Sequence, residues 1–420
     1  MNTDISGTFV RIDPREFINP PFSVCPICRR SEFGILFIYK DGFSRKCKTC
    51  GHKQHDCLPA IRKTLIYLDQ FAISNLLFAD KPNLKKTVDP FWPRLLNKLN
   101  ELLCLQLVVC PVSSAHGRES VLSNHRVPLK KMLDSLSLDI SFKPFETIRR
   151  FQFIKHLQMW LRSQPYDELI PEVEIRRMLW RDPHVWTDRL TITLNIGPIP
   201  SYIEEVKAER ELTHEALVGI FQRWKENPDV RWEQWFEQEA LSYGPKLLET
   251  YFRDQSKFSE VWEGHRLPEG GSLPLPTQYQ LIVSDLLREI KRIGIVGEKA
   301  WQTLQEYLHS PNLKNLPFNR ISAALYASLA KRAAHQKKPP TKGFFTDVDV
   351  ISCLAPYCDA MFLDVECWSY LSELKKSSRL KLEARVFSQR NKEEFIEYLD
   401  GLKASASPEH MRRVREIYGP

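Results

Sequence analysis

The residues best placed to do chemistry are carboxylates that follow short apolar runs. Lys63-Thr-Leu-Ile-Tyr-Leu ends on Asp69, and Ala360-Met-Phe-Leu ends on Asp364; each run is too short for a helix and reads as a buried strand. Asp347 and Asp349 open a short apolar helix, with Thr346 as its expected N-cap and Pro356 as its stop. A third apolar run, Leu105 to Cys110, leads into Pro111-Val-Ser-Ser-Ala-His116-Gly-Arg-Glu119, where Glu119 lies one helical turn after His116. An aspartate at a helix start is by itself an ordinary cap. Two strand ends that each carry one share a rim if the strands are parallel, and the carboxyl rim of such a sheet is where ligands bind. Four carboxylates gathered there repel one another unless cations sit among them, and oxygen-only ligation selects Mg²⁺ or Mn²⁺. Asp347 and Asp349 compete for the helix-borne position, with Asp347 favoured by its spacing from Asp364. Asp359 opens the last strand, at the end opposite Asp364, and reads as a structural support. His116 reads as support for Glu119 or as a capping or core histidine.

A second set of ligating residues is cysteine. Cys25-Pro-Ile-Cys28 and Cys47-Lys-Thr-Cys50 are separated by eighteen residues, the spacing of a four-thiolate zinc site. Four thiolates close a tetrahedral shell, so this zinc is expected to be structural. Phe33, Ile35, Phe37 and Tyr39 alternate before Asp41-Gly42, which predicts a β-hairpin between the two pairs and makes the segment a zinc ribbon. His52, His55 and Cys57 are expected on the surface of the knuckle, not in the metal shell. Residues 1–64 hold eleven Lys/Arg against six Asp/Glu, and this surplus, interleaved with Phe37, Tyr39 and Phe43, suits phosphate contact and base stacking. A ribbon that only packs on the next domain accounts for the same residues equally well.

The elements that must position these groups occupy a chain of 420 residues, long enough for two or three domains. Strands at Leu65 to Leu68, Leu105 to Cys110, Ala360 to Leu363 and Leu382 to Phe387, separated by helices, predict a parallel α/β sheet split in sequence. Between its halves, apolar residues recur at helical spacing: Phe145 to Leu161, Glu172 to Trp180, Ile203 to Trp224, Trp232 to Leu241 and Tyr279 to Ile293. The expected division is 1–60, 61–126, 127–340 and 341–420: ribbon, first half of the core, helical insertion, and second half of the core with C-terminal helices. Cys104 and Cys110 are expected to be buried. Residues 201–240 carry ten acidic against five basic side chains, so this part of the insertion suits a protein partner or solvent better than nucleic acid. The net charge of +8 favours an anionic partner. The opening MNTDISGTFVRIDP lacks a signal-like core and the longest apolar runs are too short to span a bilayer, which predicts a cytoplasmic protein with no membrane partner.

The blocks YLDQFAIS, PVSSAHGRES and DVDVISCLAPYCDAMFLD resemble, in that order, the first acidic strand, the acidic residue after the second strand, and the closing acidic helix, strand and aspartate of PIN-like nuclease domains. The resemblance implies an α/β fold: a PIN-like parallel sheet core with a large α-helical insertion and an N-terminal zinc ribbon. It further implies a Mg²⁺- or Mn²⁺-dependent nuclease acting on phosphodiester bonds, with RNA preferred to DNA and single strands preferred. Asp69, Glu119, Asp364 and one of Asp347 and Asp349 would be its metal-binding catalytic residues. The alternative is a non-catalytic zinc-ribbon platform that binds nucleic acid or protein.

Overall fold

The computed structural model describes residues 13–84, 87–165, 172–188, 200–263 and 275–419. Its first unit is a four-stranded antiparallel sheet of β1 (Asn19–Ser23), β2 (Phe33–Tyr39), β3 (Gly42–Cys47) and β4 (Lys53–Cys57), in that spatial order. The predicted hairpin is β2–β3. Its turn is Lys40-Asp41, with Lys40 at positive φ and Gly42 already paired to Tyr39. β1 contains Pro20-Pro21 and β4 is polar and largely exposed, so neither carries the apolar alternation that marks a strand in sequence; both lie at sheet edges, where prolines and charges are tolerated. Ile35, Ile38 and Phe43 pack with Trp186, Val414 and Ile417, which fastens the ribbon to distant parts of the chain.

The second sheet begins with β5 (Thr64–Leu68), followed by α1 (Gln70–Asp80) and α2 (Phe91–Cys104). β6 is only Val108–Val109. The expected strand from Leu105 is shortened because α2 runs on to Cys104, after which Gln106 turns the chain at a φ of 58° and its side-chain amide donates to the Leu103 carbonyl. Cys104 is therefore exposed, against expectation, while Cys110 is buried. Next come α3 (Ser114–Val121), α4 (Arg126–Ser137), α5 (Phe145–Leu161), α6 (Glu172–Arg177), α7 (Pro200–Lys225), α8 (Trp232–Glu263), α9 (Gln278–Arg292), α10 (Glu298–Leu308) and α11 (Pro317–Ala333). The chain closes with α12 (Phe344–Leu354), β7 (Ala360–Phe362), α13 (Val365–Lys376), β8 (Arg385–Phe387), α14 (Lys392–Ala404) and α15 (Pro408–Tyr418). Of the proline- and glycine-rich breaks that the sequence predicts at Asn195 to Pro200 and Leu267 to Pro276, residues 195–199 and 267–274 lie outside the described residues. α8 does not stop near Leu241. It continues through Gly244 and Pro245, and a Cβ at position 244 would stand 1.8 Å from the carbonyl oxygen of Leu308, so glycine is what allows α8 to cross the end of α10 this closely.

The four core strands are parallel in the order β6-β5-β7-β8. β5 and β7, almost three hundred residues apart in the sequence, pair directly, Ile66 with Ala360 and Leu68 with Phe362. Alternating side chains divide between two layers. Ile66, Leu68, Ala360 and Phe362 face α1, α2, α4 and α14, whereas Leu65, Tyr67, Met361 and Leu363 face the cluster that includes α5, α11, α12 and α13. Both faces are thus covered, which is why these strands read as unbroken apolar runs. No helix among the described residues is long and apolar enough to cross a membrane.

Candidate metal centres

At the ribbon, Cys25 Sγ lies 3.6 Å from Cys50 Sγ and Cys28 Sγ lies 3.5 Å from Cys47 Sγ. Four thiolates about 2.3 Å from one zinc stand about 3.8 Å apart, so this cluster has the size a structural zinc requires. Two equivalent turns aim the sulfurs. The N–H of Arg29 donates to the Cys25 carbonyl and that of Gly51 to the Cys47 carbonyl, with Arg29 and Gly51 both at positive φ. Burial opposes ionisation of Cys47, but the backbone N–H groups of Cys50 and Thr49 together with the Cys28 and Cys50 side chains draw its thiol down to about 6. His52 instead stacks on Phe33, His55 Nδ1 bonds to Ser44 Oγ, and Cys57 is exposed, so none enters the cluster.

The second centre is the carboxyl rim of the parallel sheet. Asp69 and Asp364 each follow a strand and cap the next helix. Asp69 Oδ1 accepts from the Gln70 N–H (2.7 Å), and Asp364 Oδ1 accepts from the Cys367 N–H (2.7 Å). Capping and ligation are thus compatible here, since the cap fixes a carboxylate without exhausting its lone pairs. Burial pushes Asp69 up to about 7, helped by the charges of Glu119 and Asp364 and opposed by the N–H groups of Gln70 and Asp364. Burial also raises Asp347 well above the usual carboxylate range, reinforced by Asp69, Asp364, Glu119 and Glu366. Glu119 is raised by burial and relieved by Arg210 and Arg118. Four elements, β5, α3, α12 and β7, therefore bring Asp69, Glu119, Asp347 and Asp364 into one electrostatic group.

Asp349 is not in that group. Two residues along α12 is a rotation of about 200°, and Asp349 points to α5, where it forms an ion pair with Arg149. Thr346 does not cap α12 either. The helix starts three residues earlier, after Gly343, which places Asp347 inside its first turn. Asp359 lies at the other end of β7, where Oδ2 accepts from the Leu65 N–H and Oδ1 from Arg62, both at 2.8 Å, so it joins the starts of two strands. His116 is buried and held near 4 by burial, hence neutral; its Nδ1 accepts from the Ser113 N–H and its Nε2–H donates to the Leu68 carbonyl at 2.8 Å. It thereby ties α3, which bears Glu119, to the residue preceding Asp69.

Two members of the rim carry no mark in the sequence. Cys367 brings its Sγ within 4.8 Å of carboxylate oxygens of Asp347 and Asp364, close enough for the three to share one ion. Glu366, raised by burial and by the charge of Asp364, sits beside them. Both fall in the first turn of α13, where Asp364 as N-cap dictates their direction; residue type alone gave no reason to single them out. Comparison with family models, curated proteins and solved structures finds no match for this chain.

Proposed function

We propose that the protein is a metal-dependent phosphodiesterase of PIN-like type that cleaves RNA, with Asp69, Glu119, Asp347 and Asp364 as its ligand set for Mg²⁺ or Mn²⁺. The observation that carries this reading is the meeting of Asp347 and Asp364, with carboxylate oxygens within 4.8 Å of each other, at a rim that the charges of Asp69 and Glu119 also reach; burial, and after it this mutual charge, raises the proton affinities of Asp69 and Asp347. A divalent cation among them relieves that repulsion, and when bound it would activate a water and stabilise the leaving oxygen of a phosphodiester. The chain's own contribution is position. Asp69 and Asp364 stand on the ends of adjacent, fully buried strands and are pinned by capping bonds, so neither has to be ordered when substrate arrives. His116 fixes α3 against β5, and Asp347 is held by a helix that Arg149 clamps through Asp349.

RNA is supported by the positive net charge and by the ribbon, where Phe22, Phe37 and Tyr39 are exposed and Lys48 and Lys40 lie over the rings of Phe22 and Tyr39. Phe43, expected to join them, is buried instead. That exposed aromatic surface also favours a second reading, a platform that binds RNA without cutting it. Incubating labelled single-stranded RNA and DNA with the protein, in Mn²⁺ or in chelator, separates the two: the nuclease cuts only with metal, and the platform retains RNA equally in both.

A further inference from the structure

We propose that Arg210, carried by the insertion helix α7, completes the acidic site by binding the phosphate of the RNA strand. This inference rests on the nuclease reading and adds to it a residue from outside the core. Three consecutive residues of α7 meet the mouth of the site. Glu209 pairs with Arg118 of α3 at 2.6 Å, and Glu211 pairs with Lys342, just before α12, at 2.5 Å. Arg210 lies between these two clasps. Its Nη2 stands 3.8 Å from the point where a Cβ on Gly343 would be, and Asp347 Oδ2 stands 3.7 Å from the same point. Its charge also reaches Glu119.

The pairing pattern gives Arg210 its role. Acidic side chains outnumber basic ones along 201–240, which by itself would repel a polyanion. Here, however, Glu209 and Glu211 are each neutralised by a core cation, while Arg210 is half-buried and, among the described residues, has no hydrogen-bonded partner. An unpaired guanidinium beside a cation-binding carboxylate group offers a planar donor fork to non-bridging phosphate oxygens. The helix is seated firmly enough to aim it, with Val206, Leu217, Phe221 and Trp224 buried.

The test compares wild type, Arg210→Ala, Arg210→Lys and Asp69→Asn in single-turnover cleavage of labelled single-stranded RNA with Mn²⁺, and measures Mn²⁺ affinity by electron paramagnetic resonance. Arg210→Ala is expected to slow cleavage at least ~10-fold while binding Mn²⁺ as tightly as wild type or more tightly, because a cation next to the carboxylates has been removed. Arg210→Lys should fall between, keeping the charge and losing the fork, and it serves as the folded variant if alanine unsettles α7. Arginine variants that cut like wild type overturn the inference and leave the nuclease reading standing. Slower cleavage accompanied by weaker Mn²⁺ binding assigns Arg210 a structural role and also overturns it. Wild type that leaves RNA uncut in Mn²⁺, just as Asp69→Asn does, removes the nuclease reading and this inference together.

Discussion

The backbone N–H of Asp69 donates to the carbonyl of Phe362 at 3.0 Å, so the aspartate that ends β5 is fastened to β7 two residues before Asp364, the second aspartate proposed to bind metal. Asn in either position keeps the size and one acceptor oxygen but removes the charge. Asp69→Asn and Asp364→Asn are therefore expected to fold and to lower Mn²⁺-dependent cleavage at least ~100-fold, a typical order for losing a metal or electrostatic contribution. Glu119→Gln and Asp347→Asn should be similarly severe. Asp349→Asn should cost clearly less activity than Asp347→Asn and leave Mn²⁺ binding close to wild type, since Asp349 pairs with Arg149 and acts on the rim only by steadying α12. Full activity in both the Asp69 and Asp364 variants would leave the binding platform as the surviving reading.

The crowding of the rim should also appear in stability. Asp69 is raised from 3.8 to about 7, so the folded state binds its proton more tightly than the unfolded chain does. Its contribution is full below the unfolded value and is lost as pH rises from about 4 towards about 7. Buried His116 and His156, both lowered from 6.5 to about 4, act in the opposite sense, losing stability as pH falls through that interval. Comparing Asp69→Asn with wild type cancels the histidines. Without divalent metal, the Tm of the variant should gain on wild type by about a few degrees between pH 4 and 7, and Mn²⁺ at pH 7 should narrow the gap. A pH-independent difference would show that Asp69 is not under this strain.

For the ribbon, elemental analysis of purified protein should find one zinc per chain. Cys25→Ser or Cys47→Ser should release it and loosen the ribbon, because metal binding and local folding are coupled where the core is as small as Phe33 and the cysteines. Faster amide exchange confined to 19–57 would report this; a metal-free wild type with the same protection would refute it.

Gly244→Ala probes a close approach that has nothing to do with the metal sites. The added Cβ would meet the Leu308 carbonyl, which is backbone and cannot rotate away, so α8 and α10 must separate. A loss of at least ~2 kcal/mol is expected in urea denaturation. An unchanged midpoint would mean that this crossing is looser than the structure shows.

At the opposite end of the sheet, Asp359→Ala removes the acceptor for the Leu65 N–H and the partner of Arg62. It should cost about 1–3 kcal/mol of stability while leaving Mn²⁺ affinity unaltered, the reverse of the result expected for Asp364→Asn. Equal metal loss in both would mean that the two ends of β7 are not independent.

Local chemistry was enough to read the cysteine spacing, the apolar runs of β5 and β7, and the aspartates that end them, because each depends on neighbours a few residues away: a knuckle turn, a strand covered on both faces, a cap. The parallel sheet followed from the order of those runs. β1 and β4 were hidden, since an edge strand needs only a pairing partner and not an apolar face. Which of Asp347 and Asp349 turns to the rim depended on where α12 begins, and it begins at Phe344, whose ring packs on Tyr370 of α13 while Phe345 packs on Tyr326 of α11, with no capping side chain at Thr346. Cys367, Glu366 and Arg210 could not be singled out at all. Their place beside Asp347 arises from contacts across tens to hundreds of residues, and only the closing of the split sheet, with α7 laid over its rim, brings them to one point.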